Sequence, residues 1–249
     1  MSVQSHKDSR AIEEYSFKLR YKNSNVSILI TFHEGNLDRI KEKCRDYLIK
    51  LYEEIEGYII KNPYFFTSFE PLTKEELINA PDIIKAMNNA ARSAGVGPMA
   101  CVAGAIAEYL LEFLISEFSL RDVIVENGGD IAMRIFSERM VKILAKTSKF
   151  SDRLALKIKE PGEKIGICTS SGKMGHSISL GKADSVTVVA RSSMLADAAA
   201  TAIANSIKNV TDIEKGLKLA KSIGGVDGVI IIYEDKLACF GNLPELTIL

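Results

Sequence analysis

The chain has 249 residues, of which 47% are apolar and 26% charged, and its 32 basic residues equal its 32 acidic ones. That composition excludes a disordered or fibrous chain. The missing basic excess argues against nucleic acid or an anionic membrane as a partner, because both affinities rest on neutralising phosphates.

The opening MSVQSHKDSR has no apolar stretch, so no secretory signal is expected. The longest apolar run, Met99 to Ala107, stops at Glu108, short of the roughly 20 residues a membrane span needs. Cys44, Cys101, Cys168 and Cys239 lie far apart, without the spacing of a disulfide scaffold or zinc finger. A cytoplasmic protein with reduced thiols is the expectation. With only His6, His33 and His176, a histidine-rich metal centre is out of reach.

Tyr15 to Tyr21 alternates apolar and polar residues, and Val26 to Phe32 follows Asn23-Ser24-Asn25. The pattern predicts a β-hairpin with one buried face. Asn36 is placed to cap a long amphipathic helix carrying Ile40, Cys44, Leu48, Leu51, Ile55 and Ile59 up to Pro63. Thr73 can cap a helical turn, and Pro81 starts a helix ending near Gly95. After Gly95-Val96-Gly97-Pro98, a helix is predicted over Met99 to Phe118, with proline suited to its first turn. Its first half is nearly all small residues, and Glu108, Glu112 and Ser116 form one polar stripe. So apolar a helix is buried on several sides, and a partner subunit could cover it, so a homo-oligomer is expected.

Strands are predicted over Asp122 to Glu126, Ile131 to Phe136, Met140 to Ala145, Arg153 to Lys159, Lys164 to Cys168 and Ser185 to Ala190. Ser193 can cap a helix to about Lys208, Asp212 to Ser222 forms another, and Val226 to Tyr233 with Lys236 to Phe240 makes a terminal hairpin. Helices and hairpins are segregated rather than alternating, which predicts an α+β fold in one domain over residues 1–249.

Three segments have chemical potential. Asp197, Thr201 and Asn205 recur every four residues on an alanine-rich helix and so share a face. The face is either solvated or a set of short oxygen ligands of the kind Mg2+ or Ca2+ prefers. Asn127-Gly128-Gly129-Asp130 is a hairpin turn whose two glycines also let a planar ligand approach the backbone. Cys168 to His176 offers three consecutive hydroxyls (Thr169, Ser170, Ser171), Gly172 and a histidine that can move a proton near neutrality. It lacks the P-loop spacing.

Together these segments resemble the ApbE superfamily, flavin transferases that move FMN from FAD onto a protein threonine. Asn127-Gly128-Gly129-Asp130-Ile131 resembles that family's N-x-G-G-D-I, and Thr169-Ser170-Ser171-Gly172 its T-S-G. Ser185-Val186-Thr187-Val188 resembles its S-V-T-V, and Ala196 to Ala202 its A-D-A-L-A-T-A. The resemblance implies a T-fold-like arrangement of antiparallel sheets with packed helices. It implies a metal held by Asp197, Thr201 and a backbone carbonyl, here that of Ala100. It further implies FAD or FMN, or another nucleotide diphosphate, bordered by Asn127, Gly128, Gly129, Thr169, Ser170, Ser171 and Gly172, with His176 and Asp130 as catalytic residues.

This chain departs from the family at several places. Cys101 replaces a lysine, Ala94 and Gly95 stand where an acid usually precedes the glycines, and I-x-D-P is missing after His176. GPMACVAGAIAE and TSSGKMGHS look closest to an uncharacterised archaeal and bacterial branch. That branch implies an alternative: a sulfur-handling or accessory protein, linked with sulfide assimilation and homocysteine formation, that keeps the scaffold without transferase activity. There Cys101, near a helix N-terminus, would be a thiolate, and Cys168 would adjoin the hydroxyl loop.

Overall fold

The computed structural model describes residues 13–32, 36–145, 148–159, 162–170 and 181–249. Ser171, Gly172 and His176 lie outside the described residues. The chain opens with the predicted hairpin, β1 (Glu13–Tyr21) and β2 (Ser24–Phe32), closed at the Tyr21–Ser24 pair. Its inward face carries Val26, Ile28 and Ile30. Helix α1 (Leu37–Lys61) starts where expected, the Asn36 side chain accepting from the Arg39 N–H at 3.0 Å. Then come α2 (Tyr64–Thr67), α3 (Asp82–Ala94), a 3-10 turn (Pro98–Cys101) and α4 (Val102–Glu117). Gly95, at φ +69°, ends α3 in the left-handed region that glycine tolerates. Strands β3 (Val123–Asn127) to β8 follow: β4 (Asp130–Arg134), β5 (Arg139–Ile143), β6 (Leu154–Ile158), β7 (Ile165–Ser170) and β8 (Ser185–Ala190). Helices α5 (Ser193–Ser206) and α6 (Ile213–Ser222), then β9 (Val226–Tyr233), β10 (Lys236–Gly241) and β11 (Glu245–Ile248), complete the order.

The architecture is α+β. An antiparallel eight-stranded sheet runs β1-β2-β3-β4-β7-β8-β9-β10, and a three-stranded sheet runs β11-β6-β5. Alternate residues of the same strands enter two cores. Cys168, Val186, Val188 and Ile231 pack with the helices, whereas Ile167, Val189, Ile230 and Ile232 pack with the small sheet. Burial on both faces explains why all six residues of β8 are enclosed.

Thr73 caps the turn over 74–79 as expected, its Oγ1 accepting from the Glu76 N–H at 3.4 Å while its own N–H donates to the Glu76 carboxylate at 2.7 Å. Three expectations change. The Met99 to Phe118 helix is a 3-10 turn followed by α4. Ser192, not Ser193, caps α5, accepting from the Leu195 N–H at 3.3 Å. Strand β11 pairs with β6 although its short, mixed sequence shows no clean alternation. As for a second subunit covering α4, that helix packs inside the chain against α1, α3, α5, β3 and β4. Its apolar surface therefore gives no reason for one. Pro98–Glu117 is long and apolar enough to cross a membrane by length and composition, but these neighbours make it a core helix.

Candidate functional site

Helix α5 is almost wholly enclosed because its residues are small: Ala196, Ala198, Ala199, Ala200 and Ala204 are all fully buried. A helix without bulky side chains can sit between other helices and a sheet, and α5 touches α3, α4, α6, β7 and β8. Its polar stripe is therefore not a solvated face. Asp197 and Thr201 are only 8% and 6% exposed. Both point at the small-residue segment of the earlier helix. Asp197 Oδ2 accepts from the Gly104 N–H at 2.9 Å, and Thr201 Oγ1 lies 3.5 Å from the Ala100 carbonyl oxygen. Asn205, the third of the stripe, is half-buried.

Gly104 makes this approach possible. A Cβ there would stand 2.5 Å from the Ser193 carbonyl oxygen and 2.9 Å from Asp197 Cβ. The small residues of α4 are thus there to admit another backbone.

The hairpin between β3 and β4 brings the next group. Gly128 (φ +67°) and Gly129 (φ +108°) make the turn between the paired Asn127 and Asp130. A Cβ on either glycine would meet nothing within 4 Å, so backbone conformation and not crowding requires glycine, and space is open above the turn. Asn127 Nδ2 donates to the Ala103 carbonyl at 3.3 Å, tying the turn to α4.

Asp130, 9% exposed, opens β4 beside the end of β7. Burial pushes its carboxyl up to about 7, while hydrogen bonds from the Cys168 thiol and the Thr169 N–H pull the other way. One of its oxygens, Oδ1, is buried with no partner among the described residues. Asp197 is pushed well above the carboxylate range by burial and then by the Asp130 charge, with the Gly104 N–H opposing. Two buried carboxylates are thus close enough for the charge of Asp130 to raise Asp197. With the Thr201 hydroxyl and the Ala100 carbonyl they make an all-oxygen donor set of the kind hard cations prefer. Among the described residues no three His, Cys, Asp or Glu side chains gather as a metal site, here or elsewhere, so any cation here would rest on two carboxylates, a hydroxyl and a carbonyl.

Thr169 and Ser170 end β7 next to Asp130. The Thr169 hydroxyl is shared with that of Thr187 across the sheet at 2.9 Å, and Ser170 is buried. The rest of that loop's predicted residues lie outside the described ones.

The thiolate expectation is overturned. Cys101 and Cys168 are fully buried. Burial raises both thiols well above their ordinary value, and nearby carboxylates add to it: Asp197, Glu108 and Asp130 for Cys101, Asp130 and Asp197 for Cys168. Any help from a helix N-terminus is outweighed by these charges. Cys101 Sγ lies 3.2 Å from the Pro98 carbonyl oxygen. Cys168 Sγ lies 3.3 Å from that of Ser193, so its single hydrogen can serve either Ser193 or Asp130.

Sequence reasoning missed Glu108. It placed this residue in a polar stripe with Glu112 and Ser116 and gave it no role; of the two acids, Glu112 reaches the surface, where it pairs with Lys164. Glu108 turns inward to the start of α5, where Ser192 Oγ donates to it at 2.7 Å and the Met194 N–H at 3.1 Å. The signal was a lone acid in an otherwise small and apolar helical run.

Comparison with known proteins places the chain in a family and matches its fold. A family model described as "AbpE bacteria" matches residues 5–222. The UPF0280 protein of Methanocaldococcus jannaschii is 42% identical over 237 residues, covering 92% of this chain and 93% of its own length. That of Archaeoglobus fulgidus is 41% identical over 234 residues, with the same coverage of both. Among solved structures, the flavin transferase ApbE from Vibrio cholerae superposes with a TM-score of 0.61 at 14% identity, covering 93% of this chain and 98% of that one. The apo flavinyl transferase ApbE of Pseudomonas stutzeri gives 0.57 at 12% identity, covering 93% and 95%. At such identities the structural likeness shows the fold alone.

Proposed function

Since this chain belongs to the ApbE-like family described as AbpE bacteria, we propose that it binds a flavin or other nucleotide diphosphate together with a divalent cation, Mg2+ or Ca2+. Asp197, Thr201 and the Ala100 carbonyl hold the cation, and Asp130 completes the anionic side of the site. The observation that carries this reading is the buried, unpartnered Oδ1 of Asp130 beside a second buried carboxylate. Burying two like charges is costly unless a counter-ion joins them.

The cation supplies charge neutralisation at a diphosphate. The chain's own groups do the rest. Asn127, held by its bond to Ala103, fixes the glycine turn, whose open side borders the planar ring. Ser170 offers a hydroxyl at the end of β7, on the face that carries Cys168, whereas the Thr169 hydroxyl pairs with Thr187 on the opposite face and only its N–H reaches Asp130. Asp130, buried beside the end of β7, is the candidate acceptor for the proton of an attacking hydroxyl, and His176 is the second proton carrier. The reaction class is cation-assisted group transfer from the diphosphate. Cys101 stands where flavin transferases of the resemblance carry lysine, and its buried, neutral thiol brings no positive charge.

Calorimetry of the purified protein against FAD, FMN and ATP, with and without Mg2+, tests this. FAD or another of the three is expected to bind at least tenfold more tightly with Mg2+, and Asp197→Asn to abolish that gain while near-UV circular dichroism stays native. Absence of binding for all three, or an undiminished Mg2+ effect in Asp197→Asn, would sink the reading.

A further inference from the structure

Of the three acids on α4, Glu117 and Glu112 are exposed and Glu108 alone is buried, at 6%. A carboxylate inside an apolar helix interface needs a reason. Its partners all lie on the first turn of α5. Glu108 Oε2 accepts from Ser192 Oγ at 2.7 Å and from the Met194 N–H at 3.1 Å, and Ser193 Oγ is 3.4 Å away. Ser193 Oγ in turn donates to the Gly104 carbonyl at 2.7 Å, and the Gly104 N–H donates to Asp197. Glu108 holds the start of α5 through Ser192 and Met194, and the Ser193–Gly104 and Gly104–Asp197 bonds join the same two helices one turn on, the single Ser193 hydrogen going to the nearer Gly104 carbonyl. Met194, Asp197 and Thr201 follow at intervals of three and four, so they share one face of α5. Holding the Met194 N–H fixes both the height and the rotation at which Asp197 and Thr201 meet the Gly104 N–H and the Ala100 carbonyl.

We propose that Glu108 is a positioning residue for the cation site: bound to the first turn of α5, it holds Asp197 and Thr201 in register with Ala100. The inference rests on reading those three as cation donors. Glu108 touches no cation and no ligand. It acts by removing the freedom of α5 to slide or turn on α4. An anion at a helix N-terminus also suits the helix dipole, and the Ser192 hydroxyl takes the Leu195 N–H. Residues behind metal ligands commonly tune affinity in this way.

The test uses the full chain, with Mn2+ as probe, read by calorimetry and by the paramagnetic resonance of free Mn2+. Glu108→Ala is expected to weaken Mn2+ by about tenfold, and Glu108→Gln, which keeps an oxygen for Ser192 and the Met194 N–H, by no more than about threefold. Amide exchange at Met194 and Leu195 should quicken in Glu108→Ala and stay close to wild type in Glu108→Gln. A purely structural carboxylate would lower thermal stability and leave Mn2+ affinity alone; that outcome overturns the proposal. If Glu108→Ala does not fold, Ser192→Ala decides, because it removes the shortest of the bonds that tie Glu108 to α5 and leaves the Ser193–Gly104 bond in place. A severalfold weaker Mn2+ affinity supports the proposal, and an unchanged one refutes it. Asp197→Asn separates the two readings. Wild-type protein that fails to bind Mn2+, or binds it equally well as Asp197→Asn, refutes the cation site and this inference with it. Loss in Asp197→Asn with full affinity in Glu108→Ala refutes this inference alone.

Discussion

The molecule has two places where charged side chains meet a recess, and they are built on opposite plans. One is the crevice of about 440 Å³ between the two sheets, lined by Lys157, Lys159, Lys164, Arg191, Glu163 and Glu245 among others. There every one of those cations already has a carboxylate: Lys157–Glu138 at 3.1 Å, Lys159–Glu245 at 2.6 Å, Lys164–Glu112 and Arg191–Glu163. The other lies between α5, the 3-10 turn and the start of β4. There Asp130 and Asp197 are both buried, Asp130 Oδ1 has no partner among the described residues, and the Asp130 charge raises the Asp197 carboxyl. The crevice gathers charges of both signs, the other region two carboxylates. Exposed opposite charges satisfy each other and ask for nothing. Buried like charges leave an energetic debt that only a ligand or a proton can settle. Experiments that perturb the two regions in parallel should therefore give unequal answers.

The largest difference should come from Gly104→Ala. The added methyl would meet backbone at Ser193 and the Asp197 Cβ, neither of which is the free end of a flexible chain. Overpacking of this kind costs about 2–3 kcal/mol, and α5 would have to move off α4, taking Asp197 from its N–H donor. Chemical denaturation should show the loss, and Mn2+ titration a weakened site in whatever fraction folds. A variant of native stability and native affinity would mean the two helices are not in the contact described.

How much of this was readable beforehand follows the range of the interactions. The hairpin turn and α1 with its Asn36 cap are local patterns, and they stand in the sequence. The inward direction of Asp197 and Thr201 was half-legible: a stripe without lysine or glutamate on an alanine helix is odd for a solvated face, and the structure buries both. The departures are all contacts between segments far apart in the chain. Glu108 stood only as one member of a polar stripe because its partners, Ser192 and Met194, lie more than eighty residues on. Cys101 looked activated because its helix start is local, whereas the three carboxylates that oppose ionisation come from α4, β4 and α5. Ser192 and Ser193 are both plausible caps by type. Only the Gly104 carbonyl, which takes the Ser193 hydroxyl, assigns the role to Ser192. Strand β11 is short and recognisable only by its register against β6.

A middle-sized effect is expected from pH. Asp130 rises from the ordinary 3.8 to about 7 on folding, so between those values the folded chain holds more proton than the unfolded one. Stability of the metal-free protein therefore falls as pH rises through that window. Asp130→Asn cannot ionise and should lose this decline, so the stability gap between variant and wild type should move in the variant's favour from pH 4 to pH 7. Millimolar Mg2+ should flatten the wild-type decline, because a cation favours the ionised pair. Thermal melts at constant ionic strength read all three curves. A wild type that gains stability on Asp130→Asn by the same amount at pH 4 and pH 7 would show that Asp130 titrates normally.

The smallest effect belongs to the crevice. Lys159 and Glu245 are 61% and 52% exposed and sit on adjacent strands, β11 beside the end of β6. Their attraction holds the Glu245 carboxyl below its ordinary value and the Lys159 amine above its own, but water screens it and two long side chains lose freedom to make it. Lys159→Ala, Glu245→Ala and the double variant should each shift Tm by less than about 2 °C, and the double should lose no more than the sum of the singles. Salt at 0.5 M should erase the difference, since surface pairs are screened. Mn2+ affinity should be the same in all three, because no bond joins this pair to α5 or to Asp130. A clear change in Mn2+ binding here, comparable with that of Glu108→Ala, would mean that the two recesses communicate through β7 and β8, and the contrast drawn between them would no longer hold.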